Sequence, residues 1–543
     1  MRRCSVICAV LSTIVLAGCQ LSVPTLPRAK LVAAPGGSVT EALVDTVGPL
    51  NPLFERADNE QDVDSLIYQG LITVNARQQP VPLLASGWTL SADHRTYTFR
   101  LRTDVRWADG VPFTADDVLF TFQVLQNPAY QEPGGAAWRV IQVQKVAPDQ
   151  VSFTLKAPSA AFPLALRQGI IPRHIFQNVP IDRMASDPHS NARAFGTGPF
   201  KVQSMTRDHK LVTLVRNPHA RPKPYLEAFT FRSYATLADA LDAVAGGEAD
   251  AAGTLQPPQL SYLAKRPDLN VRELKTFSYV AVLFNLQPQQ KQYFDPPSVR
   301  IALSQAVNRK ALVRNVMGSH ADVSPGPIPP TSWAYAPAQA AKYPYDRKAA
   351  ANALDKAGWV LDKATGVRTR GGVPFSVTLE TPDVYPYRQV AEAVGKQLKS
   401  IGVTVKVNPV PLAVLVGSKL VAKDYQMALV AFDMGPDPDQ YSLWHSDAPD
   451  GSLNFASSMI PRQSLIDKDL EDGRASNDPT QRAASYADFQ DLMSNGAPAV
   501  FLFTPHYDYV VARRVSGVQI NPVVDPVDRL QHVAAWYVDT RTP

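Results

Sequence analysis

Every cysteine of this 543-residue chain, Cys4, Cys8 and Cys19, lies within the first nineteen residues. No disulfide and no thiolate-bound metal can fasten the chain beyond residue 19, so the fold must be held by a core that the chain buries for itself. The length suffices: at roughly 100–200 residues per domain it makes two to four domains or lobes. Hydrophobic residues make up 45%, which excludes wholesale disorder. The 47 prolines and only 19% charged residues favour many fixed turns over a helical bundle or coiled coil. The 54 basic and 49 acidic residues leave a net charge of +5, too balanced to mark a nucleic-acid binder.

The position of the cysteines has its own explanation. Arg2 and Arg3 precede an apolar run, Cys4–Leu16, of signal-peptide length and too short for a membrane span of about 20 residues. The run ends in Leu16-Ala17-Gly18-Cys19, which resembles a bacterial lipobox. That resemblance implies a signal peptide over residues 1–18, cleavage before Cys19 and a diacylglycerol on the Cys19 sulfur. Residues 19–37, with three prolines and no apolar periodicity, read as a flexible tether. No later stretch approaches ~18 uninterrupted apolar residues, so the lipid is the expected membrane attachment.

Beyond the tether, strand and helix periods alternate. Tyr97, Phe99 and Leu101 point one way and Thr98, Arg100 and Arg102 the other, as in a half-buried strand. After a turn at Asp109-Gly110, Thr114 and Asp117 form a capping-box pattern opening a helix that buries Val118, Leu119, Phe122 and Leu125. Further helices are expected over 298–317, between Asp346 as N-cap and Gly358, across Val390, Val394, Leu398 and Ile401, and from Asp478-Pro479 onward. Apolar strand-like runs occupy 280–285, 403–407, 428–432 and 500–503. This is α/β of mixed order without a 20–50-residue repeat.

The familiar enzyme signatures are missing. There is no Gly-x-Ser-x-Gly, His-Glu-x-x-His, Gly-x4-Gly-Lys-Ser/Thr or Gly-x-Gly-x-x-Gly, and the nine histidines are scattered. Asp362–Gly366 lacks alternate acids and reads as a hairpin turn rather than a calcium loop. No cofactor, metal site or catalytic residue is expected.

Several segments, taken in order, carry a resemblance. Leu50-Asn-Pro-Leu-Phe54 is followed by Ser65-Leu-Ile-Tyr-Gln-Gly-Leu71, by Tyr97 to Arg102 with Trp107-Ala-Asp-Gly110, and by Phe113-Thr-Ala-Asp-Asp-Val118. Then come Gly196-Thr-Gly-Pro-Phe200, Arg216-Asn-Pro218, Gly247-Glu-Ala-Asp250, Phe284-Asn285, Val299 to Arg309, Gly435-Pro-Asp-Pro-Asp439 and Leu443-Trp-His-Ser446. Together, over about residues 38–520, they resemble the family 5 extracellular solute-binding proteins of ABC importers, the oligopeptide-, dipeptide- and nickel-binding class. The resemblance implies an α/β, two-lobe periplasmic-binding-protein-like fold with an extra domain inserted in the first lobe. Lobe 1 would combine 38–59, 192–276 and 505–543, the inserted domain would be 60–191, and lobe 2 would be 277–504, reached through an apolar crossing segment at 277–286.

Individual residues divide between scaffold and site. Trp107, Gly110 and Phe113 read as packing and turn chemistry, Gly196 and Gly198 as a backbone bend, and Arg300, Arg309 and Lys310 as a solvated helix face. In peptide-binding relatives, a loop at the position of 431–440 presents an aspartate to the ligand's α-ammonium. Asp437, three residues before Gln440, has the form of a cap for a helix at 441–444, whereas Asp433 follows an apolar strand without a capping duty. Asp433 is the first candidate for the ammonium contact and Asp437 the second. Phe432 stands where Trp is common, and Tyr279, Trp444 and Phe54 are candidate cleft aromatics for which core packing is the stronger reading.

The leading expectation is a lipid-anchored, monomeric receptor outside the cytoplasmic membrane. It would capture short peptides between its lobes and deliver them to ABC permease subunits, without catalysis and without nucleic-acid partners. The alternatives are the same fold holding an oligosaccharide, an opine-like conjugate or a metal chelate, or a sensory receptor that presents its ligand.

Overall fold

The computed structural model describes residues 32–132, 134–255, 257–448 and 453–541. The signal peptide and Cys19 lie outside the described residues, as does most of the expected tether. The tether's last part is docked: Val32–Ala33 pairs antiparallel with Thr540–Arg541, and the Gly36 N–H donates to the Tyr225 carbonyl at 2.9 Å.

One sheet of twelve strands, counted among the described residues, runs through the molecule. Its second-lobe half has the order Thr404–Val410, Ser376–Pro382, Met427–Asp433, Ser278–Phe284, Ala499–Ala512. Beyond Ala499–Ala512 it continues through Ala251–Ala252, Ser38–Val44, Ala228–Tyr234, Leu211–Arg216 and Phe200–Met205. Every residue of Ser278–Phe284 is buried, which is why the segment reads as an unbroken apolar run and sits centrally. Ala499–Ala512 belongs to both halves: Phe503 pairs with Val280, and further along His506 pairs with Lys275.

The chain thus passes between the halves twice, side by side, near Thr276 and Pro505. The Thr276 hydroxyl donates to the Pro505 carbonyl at 2.6 Å, and the Thr331 hydroxyl donates to the Thr276 carbonyl at 2.6 Å. Two large cores lie on either side of this crossing. One gathers Tyr279 to Phe503; the other joins Val39 to Phe231 with Leu274 and Tyr509 to Trp536. The segment 60–191 shares the second of these cores while carrying its own antiparallel sheet, ordered Ala85–Leu90, Thr96–Leu101, Gln150–Thr154, Gln142–Ala147. Phe122 of the helix Ala115–Gln126 packs edge-on against Phe153 of that sheet, and Thr114 caps the helix in a capping box with Asp117.

Several local expectations hold. Asp346 caps Arg347–Lys356, Asp478 caps Pro479–Gly496, and Asp362–Gly366 turns between paired strands. Two need correction. The helix expected over 298–317 is two, Pro297–Gln305 and Arg309–Asn315, because the Asn308 side chain accepts from the Ala311 N–H and starts the chain afresh. Arg300 and Arg309 are not a solvated face. Both are buried: Arg300 donates to the carbonyls of Phe294, Met459, Gly496 and Ala497, and Arg309 to those of Phe501 and Ser304. Lys310 alone of the three is exposed.

Candidate functional site

A cleft of about 540 Å³ opens between the halves. One wall is built from Pro52, Glu55 and Asp64 with Leu164–Gly169 and the C-terminal Val524–Val527; the other from Asp433, Gly435 and Pro436. Each wall has a local cause. The helix Asp58–Ile67 buries Val63, Leu66 and Ile67 in the core and so turns Gln61, Asp64 and Ser65 toward the cleft. Behind it, Gly196 and Gly198 let the backbone come close to the Ile67 carbonyl, where an added Cβ would stand 2.1 and 2.6 Å from its oxygen. The chain also bends as expected, at residues 197–199 just before the strand Phe200–Met205, and the close approach adds a second reason for glycine. Asp433 ends the strand Met427–Asp433, at the carboxyl end where α/β folds gather ligands. At the far rim the walls touch: the Ala160 N–H donates to the Arg474 carbonyl at 3.0 Å, and Asn477 Nδ2 lies 3.0 Å from His94 Nδ1.

The candidates from the sequence separate clearly. Asp433 lines the cleft. Its side chain is exposed to the open cleft, yet the surrounding protein mass of both walls and the like charge of Asp58 hold its carboxyl above the ordinary carboxylate range. Asp437 does not line the cleft and does not cap the helix Tyr441–Trp444. Arg482 Nη2 donates to both its oxygens, at 2.7 and 2.8 Å. The capping duty expected of Asp437 is absent: the N-cap of that helix is Gln440, without a side-chain cap bond, and the Tyr441 N–H donates to Asp439 in the turn that leads into it, at 3.0 Å.

The aromatic candidates are packed inside. Tyr279 and Phe432 lie 5.1 Å apart between ring centres, and Tyr279 Oη donates to Gln440 Oε1 at 3.3 Å. Trp444, fully buried, packs on Phe455 and Phe501. Phe54 meets Tyr130 edge-on at 5.7 Å beneath the opposite wall. None of the four is in the cleft lining; Tyr279, Phe432 and Trp444 belong to one core and Phe54 to the other.

The sequence reading missed the carboxylates of the other wall. Burial, with Glu60 and Asp62 nearby, pushes Glu55 up to about 7. Burial and Glu55 hold Asp64 well above the usual range. Burial and Asp528 push Asp525 up to about 6. The lining's basic residue, Arg167, is already paired with Asp528. No spacing rule joins residues 55, 64, 433 and 525, which meet only because the C-terminal segment returns across the first lobe. Among the described residues, no group of His, Cys, Asp or Glu is arranged to hold a metal ion.

Two lobes built on one pair of crossing strands, with an acid-lined cleft between them, define a bilobal solute receptor. The profile described as "Bacterial extracellular solute-binding proteins, family 5 Middle" matches residues 79–454, and the chain belongs to that family. The oligopeptide-binding protein AppA of Bacillus subtilis is 26% identical over 536 residues, covering 97% of this chain and 96% of that protein. Protein XP55 of Streptomyces lividans is 30% identical over 469 residues, covering 84% and 82%. The solved structure of Bacillus subtilis AppA in complex with a nonapeptide matches with a TM-score of 0.72 at 24% identity, over 94% of this chain and 100% of that one. The fold is therefore the two-lobe binding-protein fold. No helix among the described residues is long and apolar enough to cross a membrane.

Proposed function

We propose that this protein captures short peptides in the cleft between its lobes and hands them to the permease subunits of an ABC importer. It works as a monomeric receptor without a catalytic step, held outside the cytoplasmic membrane by a lipid on Cys19. The division into lobe 1 (38–59, 192–276, 505–543), lobe 2 (277–504) and an inserted unit (60–191) rests on the two cores and the crossing at Thr276 and Pro505.

The observation that carries the peptide reading is Asp433. It stands at the cleft wall with partial desolvation and a like charge raising its carboxyl, and among the described residues no cation or hydrogen bond lowers it. A ligand ammonium supplies the missing partner, in a charge-assisted bond worth about 1.5–3 kcal/mol. Native mass spectrometry of the purified protein is expected to show retained peptide masses, and a single carbohydrate mass would refute the reading. By calorimetry, a free-amino peptide should bind while its N-acetylated form is rejected, and Asp433→Asn should weaken the former at least about thirtyfold. Equal binding of both forms would move the search to uncharged solutes.

A further inference from the structure

Asp64 is only 2% exposed, yet neither of its carboxylate oxygens accepts a hydrogen bond from a donor among the described residues, and it lines the cleft. A buried carboxylate left this way costs several kcal/mol unless something neutralises it. Glu55 is beside it and also lines the cleft.

The protein's own cations near this pair are spoken for. Arg167 pairs with Asp528, Arg529 with Glu41 and Asp62, and Arg56 with Glu132. Of the other carboxylates on the same helix, Glu60 accepts the backbone N–H groups of Arg56 and Ala57, Asp62 is held by Arg529, and Asp58 adds a further negative charge in the first turn. Tyr68, from the end of that helix, donates its hydroxyl to the Leu50 carbonyl. Across the cleft and from the C-terminal segment the further charges are Asp433 and Asp525, both acidic. Among the described residues, what lines the cleft around the Glu55–Asp64 pair without a partner is therefore negative or neutral, and the cleft is open to it.

We propose that Glu55 and Asp64 form a second cation subsite of the cleft, on the wall opposite Asp433, which takes the ammonium or guanidinium of a basic side chain. The substrate class is then peptides carrying a lysine or arginine in addition to the free amino terminus. This rests on the peptide reading above. When the cleft is empty, the two carboxyls share a proton, as burial of the pair demands. An arriving cation takes the proton's place: one proton leaves to solvent, and both carboxylates then face the ligand's positive group.

The test uses the full mature chain and three probes: trialanine, Ala-Lys-Ala and L-arginine amide. Calorimetry at pH 7 in phosphate and in Tris reads affinity and proton release together. Ala-Lys-Ala is expected to bind at least tenfold more tightly than trialanine and to release a proton that trialanine does not. L-arginine amide alone should raise the thermal midpoint of the wild type. Glu55→Gln and Asp64→Asn should each bring the ratio of Ala-Lys-Ala to trialanine affinity to about one and abolish the difference in proton release between the two peptides. Either variant serves if the other folds poorly, and a far-UV circular dichroism spectrum matching the wild type reports an intact fold.

Equal affinity for the two peptides would overturn the subsite and leave the peptide reading standing. If neither peptide binds but L-arginine amide stabilises the wild type and not the variants, the peptide reading fails and the subsite stands. If no probe acts on the wild type, the subsite is overturned as well.

Discussion

Arg482 Nη2 donates to both carboxylate oxygens of Asp437, at 2.7 and 2.8 Å, with about a tenth of each side chain exposed. The same guanidinium donates through Nε to the Gly473 carbonyl at 2.7 Å and lies over the Trp333 ring at 5.2 Å. The pair ties the loop after the strand Met427–Asp433 to the helix Pro479–Gly496, and so fixes the backbone from which Asp433 projects.

The first prediction rests on that pair. Asp437→Asn replaces one accepting oxygen with an amide nitrogen that cannot accept, and leaves Arg482 partly unpaired in a buried place. Breaking one partner of a buried pair typically costs about 3–5 kcal/mol. The thermal midpoint of the empty protein, read by circular dichroism, should fall by several degrees. Asp433→Asn, whose carboxylate has no hydrogen-bond partner among the described residues, should not lower it. A larger loss at 433 than at 437 would reverse these assignments.

Gly196 gives the second prediction. An alanine Cβ there would stand 2.1 Å from the Ile67 carbonyl oxygen and 2.9 Å from the Tyr68 ring, and a backbone oxygen cannot swing aside. Gly196→Ala should cost about 1–3 kcal/mol or more. Gly417→Ala, with nothing within 4 Å of the new atom, should be neutral or slightly stabilising. Indistinguishable melting curves for the two variants would mean that the helix Asp58–Ile67 is free to shift.

These two positions show what the sequence could and could not reveal. Strands such as Thr96–Leu101 and caps such as Thr114 and Asp346 are written in local periodicity and spacing, so they were legible. The place of Asp433 at the cleft wall was legible because an apolar strand ends there. The duties of Arg300, Arg309 and Asp437 were not. Each is satisfied by a partner far along the chain: Gly496 for Arg300, Phe501 for Arg309 and Arg482 for Asp437. A charged residue on a helix reads as solvent-facing until the fold supplies the carbonyl or carboxylate that buries it. The acids of the first-lobe wall were hidden for the same reason, since Glu55 and Asp525 share only a cleft.

The anchor is tested apart from the fold. Leu16-Ala17-Gly18-Cys19 ends an apolar segment behind Arg2 and Arg3. Cys19→Ser should abolish lipidation and leave the protein either free of membranes or as an unprocessed precursor, read by fractionation and intact mass. A processed variant that still sediments with membranes would rule out Cys19 as the anchor.

The last prediction concerns the cost of an acid-lined cleft. Burial and Asp528 push Asp525 up to about 6 from an ordinary value of 3.8. A folded-state value raised in this way contributes stability that is complete below about pH 4 and is lost as pH climbs through 6, because ionisation is easier in the unfolded chain. Asp525→Asn removes that loss. Asn also caps about as well as Asp, so the turn Pro526–Leu530 that Asp525 opens should be kept. The midpoints of wild type and variant should therefore coincide near pH 4 and diverge above pH 6. At pH 8 the variant should be the more stable by roughly 1–2 kcal/mol, after allowance for solvent screening. A cationic ligand relieves the same repulsion, so it should stabilise the wild type more at pH 8 than at pH 5, and stabilise the variant less. The measurement is a pH series of thermal midpoints, with and without ligand. A variant less stable than wild type at pH 8, or a difference that does not change with pH, would show that Asp525 is not the strained carboxyl of this wall.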